Sequence, residues 1–493
     1  MKKNIIYKIY LLLLGTVFGL NSAGAQTINL SEAVNIALEN NEKVKQYEEK
    51  LAQEKYGNLE AWGNFLPTLS FEGKYNHLDS PLAIDLNPIK EVIVNLQAKN
   101  QVEFSNLGNL LQSGSPLGDQ ERAAIYSQSI TGLNSAIPDF TETFKDQDNY
   151  SAAFTLVQPL FTGGKIIYAK KAASSLKQAA EMELRKTENE ITVKTIKNYL
   201  TVILLKDVVR TREDVVDGVR KHVVNAEKLL NNGMIAKYQV MRARVALADA
   251  EVSLDEDTAN LDLALFSLKN VLGMGEDEYL DVEDSLKYYS FDAEVNEFYA
   301  MALNYQPLLK IIDKKKEAAD NKFKVERSDF LPNLAAFGKY ETLPEYQSAL
   351  EPRWAVGLSL NMAVFNGFKD YSQMQEAVHL KNELKYVEAD AKRQIKLWVA
   401  KSYKEARNAD SRYHKLTTSL DLAEENFKLN EKRFQTGYGT SLEVIDAQLA
   451  LEKNRVEILS ALNKYYTSLA ELSLAAGEPN YFFDVWYDEG VNK

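Results

Sequence analysis

Four short segments of the chain alternate apolar with polar residues, and each lies beside a much longer helical pattern. The segments are residues 68–76, 150–157, 333–340 and 353–361. In the last of them one face consists of Trp354, Val356, Leu358 and Leu360. A period of two with one apolar face predicts β-strands. Aromatic residues near the ends are typical of outer-membrane barrel strands, although any one segment would also suit a half-buried soluble sheet.

Two long stretches have the pattern of uninterrupted helix. Residues 165–231 contain no proline and only one glycine, Gly218, and residues 369–436 contain neither residue type. At 1.5 Å per residue such a helix is about 100 Å long, several times the width of a globular domain. Apolar stripes on two faces, such as Val245 and Val252 on one and Leu254 and Leu261 on another, predict packing between two neighbours.

The chain contains the same ordered parts twice. "PLFTGGK" (159–165) matches "AVFNGFK" (363–369), and "LNNGMIAKYQV" (230–240) matches "FQTGYGTSLEV" (434–444). A third match joins "WGNFLPTLSFEGKY" (62–75) to "RSDFLPNLAAFGKY" (327–340), but its larger offset requires an insertion at about 76–149 in the first half. We therefore predict two structural repeats, each with a helix, two strands and a long helical hairpin.

The first 25 residues differ from the rest of the chain. Lys2, Lys3 and Lys8 precede an apolar run and a small-residue site at 23–25, which predicts a signal peptide cleaved before Gln26. The run is short for a retained membrane helix. Removing three lysines and no acid moves the net charge from −12 to −15, so nucleic acid is not an expected partner. No later stretch resembles a spanning helix, so membrane insertion would have to use strands.

Enzymatic chemistry finds no support in the sequence. Cysteine is absent, which excludes disulfides, thiolate metal sites and thiol nucleophiles. The four histidines lack metal-ligand spacing, "FTGGK" (161–165) lacks the serine or threonine of a phosphate-binding loop, and no Gly-x-Ser-x-Gly motif occurs. We expect no catalytic site, no cofactor and no bound metal.

A brief glycine-containing break follows each long helical stretch. The two breaks are Asn232-Gly233-Met234-Ile235-Ala236 and Thr436-Gly437-Tyr438-Gly439-Thr440. Helical patterns resume after both, so each break is predicted to be a hairpin turn. Glu443 and Asp446 follow the second turn, and their spacing of three places them on one helical face.

Four strands cannot close a barrel, and open strand edges do not survive in lipid, so several chains must contribute to one barrel. The duplicated Phe-Leu-Pro segments, "PLFTGG" and the two glycine-marked hairpins resemble the TolC family of outer-membrane factors over residues 26–493. The resemblance implies an α+β membrane protein. Three chains of four strands would form a twelve-stranded outer-membrane β-barrel, which a long α-helical coiled-coil barrel continues through the periplasm.

The resemblance also implies a function and a division of the chain. The homotrimer would be a passive exit duct for efflux or type I secretion, docked onto a periplasmic adaptor and an inner-membrane pump. Residues 26–275 and 297–477 would be the repeats, 276–296 an equatorial connector and 478–493 an equatorial tail. The insertion would lie outside the cell, where it either narrows the outer mouth or is an ordinary surface loop. A rival function is a non-spanning periplasmic coiled-coil adaptor or scaffold.

Site residues follow from the same resemblance. The hairpin turns would form the periplasmic tip that docks the adaptor, through Gly233, Met234, Ile235, Ala236, Gly437, Tyr438, Gly439 and Thr440. Glu443 and Asp446 would line the pore aperture, where six carboxylates of a trimer would select cations and bind blocking multivalent cations. The alternative is two solvated carboxylates at a helix N-terminus, which favours negative charge.

The sequence departs from the family pattern at the aperture. Members that close it with polar links use a tyrosine, an aspartate and an arginine where this chain has Phe434, Gln239 and Gly439. That latch is therefore expected to be missing. Lys237 and Arg242, near the first turn, are candidates to pair with the two acids.

Overall fold

The computed structural model describes residues 26–283, 285–346 and 351–487, so the predicted signal peptide lies outside the described residues. The first half of the chain forms β1 (Gln26–Ile28), α1 (Leu30–Asn40), α2 (Glu42–Gly63), β2 (Thr68–His77), β3 (Leu82–Asp85), α3 (Asn87–Ser113), α4 (Asp119–Ala136), β4 (Thr141–Lys145), β5 (Asp148–Phe161), α5 (Lys165–Asn231) and α6 (Lys237–Leu272). The second half forms β6 (Leu280–Val282), α7 (Val295–Tyr305), α8 (Pro307–Ser328), β7 (Asn333–Glu341), a 3₁₀ helix (Pro344–Tyr346), β8 (Trp354–Asn361), α9 (Lys369–Gln435), α10 (Ser441–Ala476) and α11 (Tyr481–Trp486).

The two long helices predicted from the sequence are confirmed. Both α5 and α9 contain 67 residues, and the helices that follow them, α6 and α10, both contain 36. The lack of internal proline allows each backbone hydrogen-bond ladder to run without a break. Within the described residues, no helix combines the length and the apolar character that crossing a membrane requires.

A strand unit comprises Ala61–Ile167 and Lys324–Ser372. The four predicted strands form one antiparallel sheet in the order β2-β5-β7-β8. Aromatic pairs face each other across β2 and β5, with 5.0 Å between the ring centroids of Phe71 and Phe154 and also of Tyr75 and Tyr150. Among the described residues, β2 and β8 are each paired on one side, so this sheet has two open edges.

The insertion between β2 and β5 belongs to the same unit and has its own structure. Strands β3 and β4 pair with each other, and α3 packs on α4. Helix α3 has Pro88 in its first turn and ends at a capping Gly114 with a φ of 74°. Helix α4 was not predicted, because its hydrophobic residues form no clear stripe and none of them is buried.

The helical unit contains the remaining described residues, and its core contains several buried aromatic side chains. The hydroxyls of Tyr465 and Tyr466 donate hydrogen bonds to the carbonyl oxygens of Tyr289 (2.9 Å) and Lys287 (2.6 Å). These contacts hold the segment 276–296 against α10. Helix α11 also packs against α10, with 4.9 Å between the ring centroids of Trp486 and Tyr466.

Side-chain amides cap the ends of α6 and α10 in the same way. Asn41 donates a hydrogen bond to the carbonyl of Val271 (2.9 Å), and Gln306 donates to the carbonyls of Leu474 and Ala475 (both 3.1 Å). These carbonyls lie in the last turns of their helices, where the regular i→i−4 donors run out, so the amides supply additional donors; the carbonyl of Leu474 also accepts the N–H of Gly477 (3.0 Å).

Candidate functional site

The first hairpin turn lies between α5 and α6. Gly233 adopts a φ of 74°, a left-handed conformation that glycine enters without steric cost. Its N–H donates to the carbonyl of Leu230 (2.9 Å), and the N–H of Met234 donates to the carbonyl of Leu229 (2.8 Å). This pairing closes the end of α5 and reverses the chain. The predicted turn is confirmed.

The second hairpin turn, between α9 and α10, is also confirmed. Gly437 has a φ of 80°, and the N–H of Tyr438 donates to the carbonyl of Arg433 (2.9 Å). Gly439 lies so close to the end of α9 that a Cβ atom there would be 3.0 Å from the backbone nitrogen of Phe434. A side chain at position 439 would therefore press against the last turn of α9, which would have to shift by a few tenths of an ångström.

A buried apolar cluster joins the two hairpins just inside their turns. This tip cluster consists of Ala226, Val240, Phe434 and Val444, with Leu229, Leu230, Ile235 and Phe427 packed around it. Its members come from α5, α6, α9 and α10 or from the first turn. The two turns therefore form one structural element, which we call the tip.

A histidine links the hairpins beside the tip cluster. His222 of α5 is buried; its Nε2 lies 2.7 Å from the hydroxyl oxygen of Ser441, the first residue of α10. Its ring centroid is 4.7 Å from that of Phe434. The N–H of Ser441 donates to the side-chain oxygen of Gln239 at 3.5 Å. Burial lowers the pKa of His222, so the neutral form fits this site.

Two of the three positions that lack the family's latch residues thus have other roles within one chain. Phe434 fills the tip cluster and Gln239 contacts the start of α10. His222 is one of the four histidines that lack metal-ligand spacing, and its packing role was not predicted. A signal was present, because Val215, Val219, His222 and Ala226 follow the 3-4 spacing of a packed helix seam, where a polar residue is unusual.

Glu443 has a local structural role in addition to its charge. Its carboxylate accepts a hydrogen bond from the N–H of Thr440 (2.8 Å), while the hydroxyl of Thr440 accepts one from the N–H of Glu443 (3.3 Å). This capping box begins α10. The Thr440 hydrogen bond, together with the nearby Arg433, lowers the pKa of Glu443. Arg433 is also its ion-pair partner, at 3.6 Å; neither Lys237 nor Arg242 pairs with it within the described residues.

The remaining candidate residues lie at the surface of the tip. Asp446 is exposed one turn after Glu443 and forms no hydrogen bond or ion pair within the part of the chain that the structure describes. Met234 and Tyr438 are 58% and 84% exposed, so each turn presents a large apolar side chain to solvent. No group of three or more potential metal-ligating side chains occurs among the described residues.

The contact between His222 and Ser441 should make the stability of the tip depend on pH. Because the folded state lowers the pKa of His222, the unfolded chain binds its proton first as the pH falls. The stabilisation is complete above about pH 6.5, the ordinary histidine pKa, and decreases below it. The variant His222→Gln can still hydrogen-bond Ser441 but does not titrate. When the pH is lowered from 7.5 to 5.5, the guanidinium concentration at the unfolding midpoint should therefore fall more in the wild type than in this variant.

The matched control for this measurement is His379→Gln, because His379 is an exposed residue of α9. It should retain the pH dependence of the wild type. Equal losses of stability in the wild type and in His222→Gln would contradict the role of His222.

The sheet and the long helical hairpins define a class of protein, the outer-membrane channels with a helical periplasmic extension. A family model described as outer membrane efflux protein matches residues 124–274 and 298–478, well over half of the chain. The chain belongs to this family, and the TolC-family resemblance is confirmed. It is an outer-membrane protein that extends into the periplasm, in a family of transport ducts rather than enzymes.

Two curated relatives cover most of the chain. The alkaline protease secretion protein AprF of Pseudomonas aeruginosa is 23% identical over 349 residues, which are 69% of this chain and 72% of AprF. The cobalt-zinc-cadmium resistance protein CzcC of Cupriavidus metallidurans is 23% identical over 323 residues, 65% of this chain and 75% of CzcC.

Solved structures share the fold. The outer-membrane protein VceC of Vibrio cholerae has a TM-score of 0.68 at 17% identity, over 91% of this chain and 96% of VceC. The outer-membrane channel CmeC of Campylobacter jejuni has a TM-score of 0.70 at 14% identity, over 91% of this chain and 85% of CmeC.

Proposed function

We propose that this protein is the exit duct of a tripartite efflux or type I secretion system. Substrates would pass through it without energy input, from an inner-membrane pump and a periplasmic adaptor to the outside. The observation that carries the proposal is the tip, where two long hairpins end together and present Met234 and Tyr438 to solvent. The rival function, a non-spanning periplasmic adaptor, would not require a four-stranded sheet and does not agree with the family.

The functional unit we propose is a homotrimer. The sheet of one chain leaves β2 and β8 unpaired on one side, and unpaired backbone groups are costly in lipid. Three sheets joined edge to edge would close a twelve-stranded barrel without open edges. Exposed apolar residues on β8, such as Trp354, Val356 and Leu358, would then contact outer-membrane lipid.

The proposed division of the chain into two repeats, residues 26–275 and 297–477, rests on matched parts. The long helices have equal lengths in the two halves, and so do the helices that follow them. Asn41 and Gln306 cap the two shorter helices by the same contact. The segments 276–296 and 478–493 would form the equatorial connector and tail beside these caps.

The tip is the proposed docking site for the adaptor. Because the chain has no cysteine, Met234→Cys and Tyr438→Cys each offer one attachment point for a maleimide-benzophenone cross-linker. After illumination in cells, both variants should capture a periplasmic protein of adaptor type, whereas Tyr386→Cys should not. Tyr386 is 78% exposed on α9, about 75 Å from the tip along the helix. Capture from position 386 alone would place docking elsewhere and overturn the proposal.

A further inference from the structure

One side of α3, in the insertion, carries an apolar stripe that the described residues leave exposed. It consists of Ile89, Val92, Ile93, Leu96, Phe104, Leu107 and Leu111, with exposed fractions of 40–80%. The opposite side of α3 is buried and includes Val94, Ala98 and Val102. The helix packs on α4, so one face is satisfied within the chain and the other is not.

The stripe is not a general property of the insertion. The outer face of α4 is polar, with Gln120, Ser127, Gln128, Thr131 and Asn134 all exposed. The pair of helices is therefore apolar on the α3 side and polar on the α4 side. Such an arrangement is expected when one side meets a partner and the other meets water.

The size of the stripe fits a protein partner. Its exposed surface is roughly 700 Å², above the 300–600 Å² of the largest apolar patch on a typical monomer. It approaches the roughly 800 Å² that each side of a standard protein interface buries. A stripe of this area would be a costly feature to leave in water.

The charges of α3 favour protein over a lipid surface. The helix contains Lys90, Glu91, Lys99 and Glu103, two charges of each sign, whereas helices that lie on membranes are rich in lysine and arginine. Two of the four charges are used within the insertion, because Lys90 pairs with Asp139 (2.8 Å) and Glu103 pairs with Arg122.

Two polar residues lie within the stripe: Glu103, which pairs with Arg122 of α4, and Asn100. Asn100 is exposed and lies between Leu96 and Phe104, in line with the apolar residues at spacings of four. An asparagine in an otherwise apolar helix seam is a known device for fixing register, because it pairs with the same asparagine of another copy. The stripe is therefore suited to a second copy of itself.

The place where the insertion leaves the sheet determines where the three copies of α3 lie in the trimer. The insertion leaves the sheet where β2 ends and β5 begins, beside the contact between His77 Nδ1 and Asp148 Oδ1 (2.8 Å), and β3 and β4 form a separate two-stranded antiparallel sheet. In the trimer proposed above, on which this inference rests, each copy places α3 at the same end of the barrel. We propose that the three α3 stripes pack against one another around the barrel axis and close the outer mouth.

Cysteine cross-linking tests this packing. In the cysteine-free chain, Asn100→Cys should form a disulfide between two of the three subunits on oxidation, and a trifunctional maleimide should join all three. The matched control is Ser127→Cys, on the polar side of α4, which should remain monomeric on denaturing gels. Trimer formation is measured separately in both variants, as a band in unheated detergent samples that heating dissociates.

The possible results distinguish a failure of the α3 packing from a failure of the proposed trimeric duct. A trimer with no more cross-linking at position 100 than at position 127 would overturn the inference and leave the duct intact. The absence of any trimer would overturn the proposed trimer and the inference together. Quenching of a fluorophore at Asn100→Cys by brominated lipid, without cross-linking, would place the stripe on the membrane and also overturn the inference.

A charge within the stripe should open the mouth. Phe104→Glu should prevent the disulfide of Asn100→Cys and increase the single-channel conductance in planar bilayers, whereas Gln128→Glu should change neither. If Phe104→Glu kept both the cross-link and the conductance of the wild type, the stripe would not hold the mouth closed.

Discussion

Replacing Glu443 with glutamine and Asp446 with asparagine should remove the cation selectivity of the channel and its block by divalent and trivalent cations. We propose that the Glu443 and Asp446 side chains of the trimer, six carboxylates in all, line the aperture and make the duct selective for cations. One unit charge at about 8 Å in an effective dielectric of 20 contributes about 2 kcal/mol of attraction, so block should weaken by at least about tenfold. Planar-bilayer recordings with asymmetric salt and added multivalent cations measure both effects.

Glutamine is the appropriate replacement for Glu443 because this side chain also caps the first turn of α10. Its carboxylate accepts the N–H of Thr440, and glutamine can make the same capping bond without the charge. A control with the same change in charge is Asp421→Asn with Glu425→Gln, two exposed residues of α9 before the tip. If the aperture variant retained wild-type selectivity and block, the two acids would be only solvated residues of a helix N-terminus.

Gly477→Ala should prevent the helical unit from folding stably. Gly477 ends α10 with a φ of 81°, and a Cβ atom there would lie 2.6 Å from the backbone nitrogen of Gln306. The left-handed conformation costs alanine about 1–2 kcal/mol, and the steric conflict with backbone adds roughly 1–3 kcal/mol. The amount of heat-modifiable protein recovered from the outer-membrane fraction should drop severely.

Gly233→Ala separates the two contributions to this loss. Gly233 has a similar φ of 74°, but no atom lies within 4 Å of the added Cβ. This variant should lose only the conformational part, about 1–2 kcal/mol, so its recovery should exceed that of Gly477→Ala and its guanidinium unfolding midpoint should fall less. Equal losses in both variants would show that the close approach to Gln306 is unimportant.

The sequence contained enough information for the elements and the family, because both depend on repeated local patterns. Alternation identified the four strands, the lack of proline identified α5 and α9, and glycine identified the turns. Helix α4 was missed because its hydrophobic residues form no clear stripe along the helix. The pairing of His222 with Ser441 spans 219 residues, so no local rule could place them together.

The role of Glu443 could be predicted from the sequence only in part. Thr440 and Glu443 have the spacing of a capping box, which could have indicated the hydrogen bonds in advance. Whether the same carboxylate also faces a pore depends on neighbouring copies, and a single chain does not encode that in a local pattern.

The two open edges of the sheet have a genetic consequence. In the proposed trimer, a subunit whose β2 or β8 cannot pair would prevent the barrel from closing, because closure requires both sheet edges of all three subunits. If half of the chains in a cell carried such a defect, only about one trimer in eight would be free of it. Edge-strand mutations should therefore be dominant over a wild-type copy, whereas mutations that unfold the chain before assembly should be recessive.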